Sequence, residues 1–310
     1  MHPVVAIVGP TASGKSDLAL HLAGRFSGEI VNYDSIQIFR HLDIGTAKPT
    51  AEDRQRVPHH MIDIREPQEV FTAGDYQREA RKVLEEIASR GKLPILVGGT
   101  GLYLRALTEG LFDGPARSIY WRNRLEMLAE RKGRVYLHRL LSKLDPGAAA
   151  RIAERDKPKV IRALEVRLET GRPLSEHLAE SPRRPLAGFQ VHFIGLNPAR
   201  DELYRRIDLR VRRMFEAGLV GEVRQLLGRG IPFSAKPFEA IGYRHIIADL
   251  DSCIPEDETI RIIQRDTRHY AKRQMTWFRK QAEVSWFDGP GDSEQIKNKV
   301  CQFLEKLVIF

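Results

Sequence analysis

A phosphate-binding loop lies near the start of the chain and consists of Gly9, Pro10, Thr11, Ala12, Ser13, Gly14, Lys15 and Ser16. An apolar run precedes it and an amphipathic run follows, so a strand enters a glycine-rich turn that opens a helix. Backbone N–H groups and the positive end of the helix dipole then point at one place, where polyphosphate or pyrophosphate binds. Lys15 adds a mobile positive charge, and the Ser16 hydroxyl can complete a Mg²⁺ shell. The motif predicts phosphate binding with Mg²⁺ as the cofactor.

The set of residues that usually accompanies this loop in an ATP-hydrolysing enzyme is incomplete in this sequence. Such enzymes usually have a second apolar strand that ends in an aspartate, which helps to hold Mg²⁺. Here the best later strand, 93–97, ends in Gly98, Gly99 and Thr100, with no carboxylate. The nearest candidate acid is Asp34, which follows the strand 29–32. We therefore expect Asp34, at the end of the second strand, to lie close to the substrate.

Composition narrows the class of protein. The 310 residues are 42% hydrophobic and 29% charged, as in ordinary globular proteins, and no apolar run approaches the ~20 residues of a membrane span. Cys253 and Cys301 are too few and too far apart for a zinc site or a disulfide framework. The net charge of +9, with arginines crowded into the middle and last third, favours nucleic acid over a membrane as partner. We expect a cytoplasmic monomer.

Alternation of strand-like and helical segments predicts the fold class. Residues 3–110 alternate between the two, which indicates an α/β fold with a P-loop NTPase-like parallel sheet flanked by helices. From residue 113 to 187 only helical patterns occur, at 120–131, 136–143, 148–155 and 159–170, and a strand at 190–196 then resumes the sheet. We predict a catalytic core of residues 1–112 and 188–310, and a helical insertion domain of residues 113–187.

The C-terminal part is predicted to be helical and basic. A helix over 201–217 has an apolar stripe, with Arg206, Arg210 and Arg213 on another face. A longer helix over 256–281 has a second stripe without any acid, made of Arg261, Arg265, Arg268, Lys272, Thr276 and Arg279. Such a stripe is either a solvated face or a track for a phosphate backbone, and the sequence leaves both possibilities open.

Several strings occur in a fixed order after the phosphate-binding loop. They are Asp34-Ser35-Ile36-Gln37, Asp43-Ile44-Gly45-Thr46-Ala47-Lys48-Pro49, Pro58-His59-His60-Met61-Ile62-Asp63, Val97-Gly98-Gly99-Thr100-Gly101-Leu102-Tyr103, Arg162-Ala163-Leu164-Glu165-Val166, Ile241-Gly242-Tyr243-Arg244 and Lys272-Arg273-Gln274-Met275-Thr276-Trp277-Phe278-Arg279. Over nearly its whole length the chain resembles the bacterial tRNA dimethylallyltransferases.

The resemblance implies an activity and substrates. The phosphate-binding loop would receive the pyrophosphate of dimethylallyl diphosphate, and the acceptor would be N6 of adenosine 37 in the tRNA anticodon loop. The family depends on Mg²⁺, and its helical insertion helps to grip the anticodon stem-loop. Asp34 matches the general base, and the catalytic set is completed by Lys15, Thr100 and Arg244. The segments and residues matched to tRNA contacts are Asp34, Ser35, Ile36, Gln37, Thr100, Arg122, Pro158, Lys159, Val160, Ile161, Arg162, Gly242, Tyr243, Arg244, Lys272, Arg273, Gln274, Thr276, Trp277 and Arg279.

Two alternatives share part of these features. A P-loop nucleotide or nucleoside kinase has the same opening fold but does not need the basic C-terminal helix. An RNA-binding regulator with a nucleotide-sensing loop would leave Asp34 and Thr100 without a role.

Overall fold

The computed structural model describes residues 1–112, 114–180, 183–250, 254–281 and 283–307. Within it the chain divides into two compact units. The first is Met1–Thr108 with Leu186–Phe310, and the second is Glu109–Pro185. The predicted insertion began at residue 113 and ended at 187. The predicted start at Asp113, the residues Ser181 and Pro182 within the predicted insertion, and Cys253 lie outside the described residues.

The first unit is built on a parallel sheet, as the alternating pattern predicted. In chain order the described strands are β1 (His2–Val8), β2 (Gly28–Asn32), β3 (His59–His60), β4 (Leu93–Val97), β5 (Phe189–Leu196) and β6 (Val284–Phe287). Their order across the sheet is β3-β2-β4-β1-β5-β6, and every pair is parallel. The α/β prediction is confirmed. Since parallel strands end at the same edge, the loops after β1, β2 and β4 meet there.

Helices of the first unit cover both faces of its sheet. The described helices are α1 (Lys15–Arg25), α2 (Ala51–Arg56), α3 (Ala73–Ser89), α4 (Gly101–Thr108), α5 (Ile119–Lys132), α6 (Arg134–Leu144), α7 (Pro146–Ala149), α8 (Lys157–Thr170), α9 (Leu174–Glu180), α10 (Arg200–Glu216), α11 (Leu219–Gly228), α12 (Tyr243–Asp249), α13 (Glu256–Phe278) and α14 (Glu294–Lys306). Among them, none has the length and apolar character that a membrane span requires.

The strand β1 shows why both faces are covered. Val5 and Ile7 pack with apolar residues of α1 and α14, whereas Val4, Ala6 and Val8 pack with α3 and α4. Successive side chains of a strand point to opposite faces, so a strand that is apolar throughout must be buried on both.

The last part of the first unit forms a further core. The helices α10 to α13 pack against the loop that follows β2, and this core includes Ile38, Phe39, Leu42, Val223 and Ile263. The segment after β2 is therefore held between the sheet and the C-terminal helices. It contains several of the predicted site residues.

The second unit consists of α5 to α9 around its own apolar core, which includes Leu125, Leu141 and Leu164. The predicted helix over 148–155 was wrong, because α7 ends at Ala149 and the chain turns before α8 begins. The prediction also missed α9. Asp145 joins these elements: it is fully buried and accepts hydrogen bonds from the Ala148 amide at 2.9 Å and the Ser175 hydroxyl at 2.6 Å.

Replacement of Asp145 is expected to destabilise the second unit. Burial alone would raise the pKa of this carboxyl, but hydrogen bonds from Ser175 and backbone amides outweigh it and lower the pKa. Asp145→Ala leaves buried donors without an acceptor, at a cost of about 1–3 kcal/mol. Urea unfolding followed by tryptophan fluorescence, to which Trp121 on α5 contributes, measures the loss.

The destabilisation is also expected to depend on pH. A carboxyl with a lowered folded-state pKa stabilises the fold above its unfolded value, ~3.9, and this contribution disappears as the pH falls through the folded value. The difference between wild type and Asp145→Ala should therefore shrink at acid pH. Exposed Glu154→Ala is the control for loss of one charge. Equal midpoints for the two variants at pH 7 would contradict the prediction.

Candidate active site

The phosphate-binding loop lies between β1 and α1 at the carboxyl edge of the sheet. Gly14 has a φ of 82°, and a Cβ atom there would lie 2.8 Å from the backbone nitrogens of Gly291 and Asp292. The loop therefore tolerates no side chain at this position. The N–H groups of Gly14, Lys15 and Ser16 have no hydrogen-bond partner among the residues that the structure describes. They border a cavity of about 850 Å³.

Lys15 lies deep in this cavity, with 9% of its surface exposed. Its Nζ donates to the carbonyl oxygens of Gly9 at 3.0 Å and Pro10 at 2.7 Å. Burial, and then the nearby charge of Arg210, lower the pKa of Lys15 to about 7, while Asp34 acts in the opposite direction. The charge on Lys15 is therefore sensitive to pH near neutrality, and a bound anion would favour the protonated form.

Arg210 is a site residue that sequence reasoning missed. The periodicity of α10 placed Arg210 on a basic face of the helix. The sequence pattern does not indicate which residues of that face point toward the sheet. In the structure Arg210 is half-buried and lines the same cavity, together with Arg206 and Arg213. Burial lowers the pKa of Arg210, and the charges of Asp34 and Asp17 oppose this. The cavity thus brings several cations near the loop, and its walls also carry acids such as Asp292, which pairs with Arg206.

Asp34 follows β2 and is held by its own turn. Its backbone N–H donates to Asn32 Oδ1 at 3.0 Å, and its Oδ1 accepts from the Ile36 amide at 2.9 Å and the Gln37 amide at 3.4 Å. Among the described residues, Oδ2 has no hydrogen-bond donor. One carboxylate oxygen therefore orients the side chain, and the other is available to accept a proton.

The loop after β4 presses against this turn. A Cβ atom on Gly98 would lie 2.5 Å from the Tyr33 carbonyl carbon, so the backbones touch directly. The Thr100 hydroxyl accepts from the Ser35 amide at 2.9 Å and donates to the Ser35 hydroxyl at 3.1 Å. Thr100 therefore holds the turn that carries Asp34 in place.

A second cavity of about 350 Å³ also borders Asp34. Its walls include Ser35, Ile36, Thr100 and Arg244. The two cavities share Thr11, Asp34, Thr46, Arg210, Met214 and Tyr270 as wall residues. Asp34 therefore borders both the cavity of the phosphate-binding loop and the second cavity. Gln37 lines the first cavity and not the second, and its amide donates to the Thr46 carbonyl at 3.0 Å.

Arg244 contributes both to the second cavity and to an ion pair. Its guanidinium donates to Asp266 Oδ2 at 2.9 Å, and His245 lies 3.0 Å from the same oxygen. Burial raises the pKa of Asp266, but hydrogen bonds from Arg265, His245 and Arg244 outweigh it and lower the pKa. Asp266 therefore remains a carboxylate that holds Arg244 at the rim.

The side chains of α13 and of its C-terminal end face cavities, the phosphate-binding loop and the exterior. Arg273 lines the second cavity, and Gln274 is buried against the phosphate-binding loop. Lys272 and Arg279 line a third cavity, of about 660 Å³, beside α10. Thr276 is exposed, and the half-exposed ring of Trp277 lies against Gly101. Within the segment 272–279, only the exposed residues have side chains that a partner could contact.

The basic stripe of α13 is less positive than its sequence indicated. Arg261 pairs with Glu258, Arg265 with Asp266 and Arg268 with Asp208. The stripe contains no acid of its own. Its three acidic partners come from neighbouring positions of α13, which supply Glu258 and Asp266, and from α10, which supplies Asp208. For Lys272 and Arg279, no acidic partner occurs within the part of the chain that the structure describes.

The remaining predicted contacts differ in exposure. In the second unit, Arg122 and Arg162 lie 2.9 Å and 3.3 Å from the buried carboxylate of Glu165. Pro158 is exposed, and so is Lys159, which pairs with Asp156. Five of the residues matched to tRNA contacts are buried in the protein, and their contact with tRNA stays a prediction: Val160, Ile161, Gly242, Tyr243 and Gln274. The Tyr243 hydroxyl donates to Glu222 at 2.6 Å.

A parallel α/β sheet and a phosphate-binding loop at its carboxyl edge define a P-loop protein, and a carboxylate here borders two cavities. A sequence model of the IPP transferase family matches residues 37–281. A tRNA dimethylallyltransferase of Koribacter versatilis is 50% identical over 299 residues, which cover 96% of this chain and 97% of the relative. The chain belongs to the IPP transferase family.

Solved structures agree with this assignment. The full-length tRNA isopentenylpyrophosphate transferase of Bacillus halodurans is 42% identical, with a TM-score of 0.71, and the match covers 99% of this chain and 98% of that one. A eukaryotic dimethylallyltransferase acting on tRNA is 27% identical, with a TM-score of 0.80, and the match covers 98% of this chain and 78% of that one.

The environment of Lys15 predicts how anion binding depends on pH. As the pH rises through about 7 the amine loses its charge, so the affinity of wild type for inorganic pyrophosphate should fall relative to Lys15→Ala. Lys15→Arg keeps its charge at all these pH values and should not show this decline. Isothermal titration calorimetry between pH 6 and 9 gives the ratio of affinities. A ratio that does not change with pH would show that Lys15 stays charged, contrary to its burial.

Proposed function

We propose that the protein transfers the dimethylallyl group from dimethylallyl diphosphate to N6 of adenosine 37 in tRNA, giving N6-(dimethylallyl)adenosine and diphosphate. The position of Asp34 between the two cavities carries this proposal. One cavity suits a diphosphate, and the other is open to a base. The names of the relatives support the proposal, and family membership favours a transferase over a nucleotide kinase or an RNA-binding regulator.

The reaction needs a base close to the nucleophile. The adenine amino group is a poor nucleophile, because its lone pair is delocalised into the ring. In the proposed step N6 bonds to C1 of the dimethylallyl group, the C1–O bond breaks, and its electron pair leaves with diphosphate. The N6 proton passes to Asp34 Oδ2, the carboxylate oxygen without a donor. A stacked base cannot enter such a cavity, so adenosine 37 must be flipped out of the anticodon loop.

The leaving group needs positive charge and N–H donors. The amides of Gly14, Lys15 and Ser16 and the side chains of Lys15 and Arg210 border the cavity where diphosphate would bind. The main catalytic contribution of such a site is to stabilise the negative charge that develops on the leaving diphosphate. The exposed Ser16 hydroxyl fits a hard cation such as Mg²⁺, which would be held by Ser16 and would neutralise phosphate charge. We also propose that the protein is a monomer with a cytoplasmic location.

The reaction itself is tested by mass spectrometry of nucleosides from tRNA incubated with enzyme and dimethylallyl diphosphate.

Asp34→Asn keeps the shape of the side chain but cannot accept the proton, so turnover should fall at least ~10²-fold. Binding of an anticodon stem-loop should be retained. Near-normal turnover of Asp34→Asn at saturating substrates would remove Asp34 from the role of general base, and ATP-dependent phosphorylation of a small acceptor would favour the kinase.

The unpaired cations of α13 give a second prediction, which concerns RNA. If Lys272 contacts a tRNA phosphate, the logarithm of affinity should fall with the logarithm of salt concentration less steeply in Lys272→Ala, by about one unit of slope. Fluorescence anisotropy with an anticodon stem-loop across a salt series measures this slope. Arg261→Ala is the matched control, because Arg261 lies on the same stripe but pairs with Glu258. If Lys272→Ala and wild type have equal slopes, the stripe is a solvated face.

A further inference from the structure

Gln274 joins two loops that belong to different parts of the site. Its Oε1 accepts the N–H of Thr11 at 2.7 Å, and its Nε2 donates to the carbonyl oxygen of Gly99 at 3.0 Å. Thr11 belongs to the phosphate-binding loop, and Gly99 to the loop after β4. Gln274 is 5% exposed, so its side chain faces these loops and not the surface of α13. We propose that Gln274 is a positioning residue that fixes the distance between the diphosphate site and Asp34. The proposal rests on the proposed transfer reaction.

The partners of Gln274 require a primary amide. An N–H group only donates and a carbonyl oxygen only accepts, so the side chain between them must offer one acceptor and one donor. Glutamine does both at once, whereas an ionised glutamate satisfies Thr11 alone and methionine satisfies neither. A buried polar group without its partner is costly, so replacement would make the two loops shift.

Packing around Gly99 links this amide to Asp34. A Cβ atom on Gly99 would lie 2.8 Å from Gln274 Nε2 and 3.0 Å from Asp34 Oδ2, so the glycine backbone fills the space between the two side chains. Tyr270, one turn earlier on α13, donates to the same Gly99 carbonyl at 3.2 Å. A displacement of this loop would therefore change the position of the oxygen that we propose takes up the proton.

The Thr11 contact has a second consequence. Because its N–H is bonded to Gln274, this amide of the phosphate-binding loop is not directed at the diphosphate. Its role is to hold the loop in shape, with the following residue, Ala12, at a φ of 62°. Gln274 therefore acts on the leaving group and on the general base through two separate backbone segments. Displacement of reacting groups by about 1 Å can lower a rate ~10²-fold.

The test compares two buried glutamines of the same helix. Gln264 is 8% exposed and donates to the Asp208 carbonyl at 3.0 Å, away from both loops. Gln274→Met should lower kcat by roughly 10- to 100-fold, raise KM for dimethylallyl diphosphate and weaken inorganic pyrophosphate binding. Its affinity for an anticodon stem-loop should stay within about twofold, since the side chain is buried. Gln264→Met should lose a similar amount of thermal stability while it keeps kcat.

The variant Gln274→Glu adds a pH readout. Its carboxylate faces the Gly99 carbonyl without a proton to donate, but a protonated carboxyl restores both hydrogen bonds. The activity of Gln274→Glu relative to wild type should therefore rise as the pH falls from 8 to 6, whereas that of Gln274→Met should stay constant.

Three results would overturn the proposal. Equal losses of kcat in Gln274→Met and Gln264→Met would indicate a structural role only. Weakened stem-loop binding with unchanged KM for dimethylallyl diphosphate would make Gln274 an RNA contact. Unchanged kinetics would remove it from the site. If wild type itself forms no dimethylallyl product, the proposed function fails, but the comparison of pyrophosphate affinities still decides whether Gln274 shapes the phosphate-binding loop.

Discussion

The direct contact between the backbones that follow β2 and β4 is the constraint on which the site depends. Gly98 lies against the carbonyl of Tyr33 with no space for a side chain, and Thr100 bonds to Ser35 beyond it. These contacts hold Asp34 at the sheet edge with one carboxylate oxygen engaged and the other without a donor among the described residues. Had the loops been further apart, Asp34 would be an ordinary turn residue in water.

Charge in the phosphate cavity is arranged around this fixed carboxylate. Burial lowers the pKa values of both Lys15 and Arg210. The charge of Asp34 opposes this at both residues, and Asp17 also opposes it at Arg210. Clustered cations cost free energy when they lose their hydration, and a polyanion reduces that cost. The same charges that bind a diphosphate would stabilise it as it leaves, so binding and chemistry use one set of groups.

The helix α13 connects the cavities with the exterior. On one side Tyr270 and Gln274 reach the loops after β1 and β4, and on another Lys272 and Arg279 border the third cavity. A helix can do this because its side chains project in all directions along a single rigid rod. Its ion pairs with Asp208 and with its own acids reduce the charge that an RNA backbone would meet.

Much of the fold could be predicted from the sequence, because the periodicity of apolar residues and the glycine-rich turn are local signals. The phosphate-binding loop, the strands β1, β2, β4 and β5, the parallel class of the sheet and the family resemblance all follow from residues close together in the chain. The position of Asp34 directly after β2 could also be predicted from these local signals. The helix α7 was over-extended, and the elements that were not predicted individually are α2, α9, α11, α12, α14, β3 and β6. The shortest of these have too few residues to show a period.

The tertiary structure alone decided which distant residues meet. Arg210 lies 195 positions after Lys15 along the chain, and Gln274 lies 263 positions after its partner Thr11. No local pattern tells which side of a helix faces a given loop when several of its faces are polar. The same limit explains why Gln274 appeared in the sequence as part of a basic, RNA-binding string, whereas its side chain is buried. The sequence by itself determined the chemistry available at the site, and the packing of α10 and α13 against the sheet determined which groups can use it.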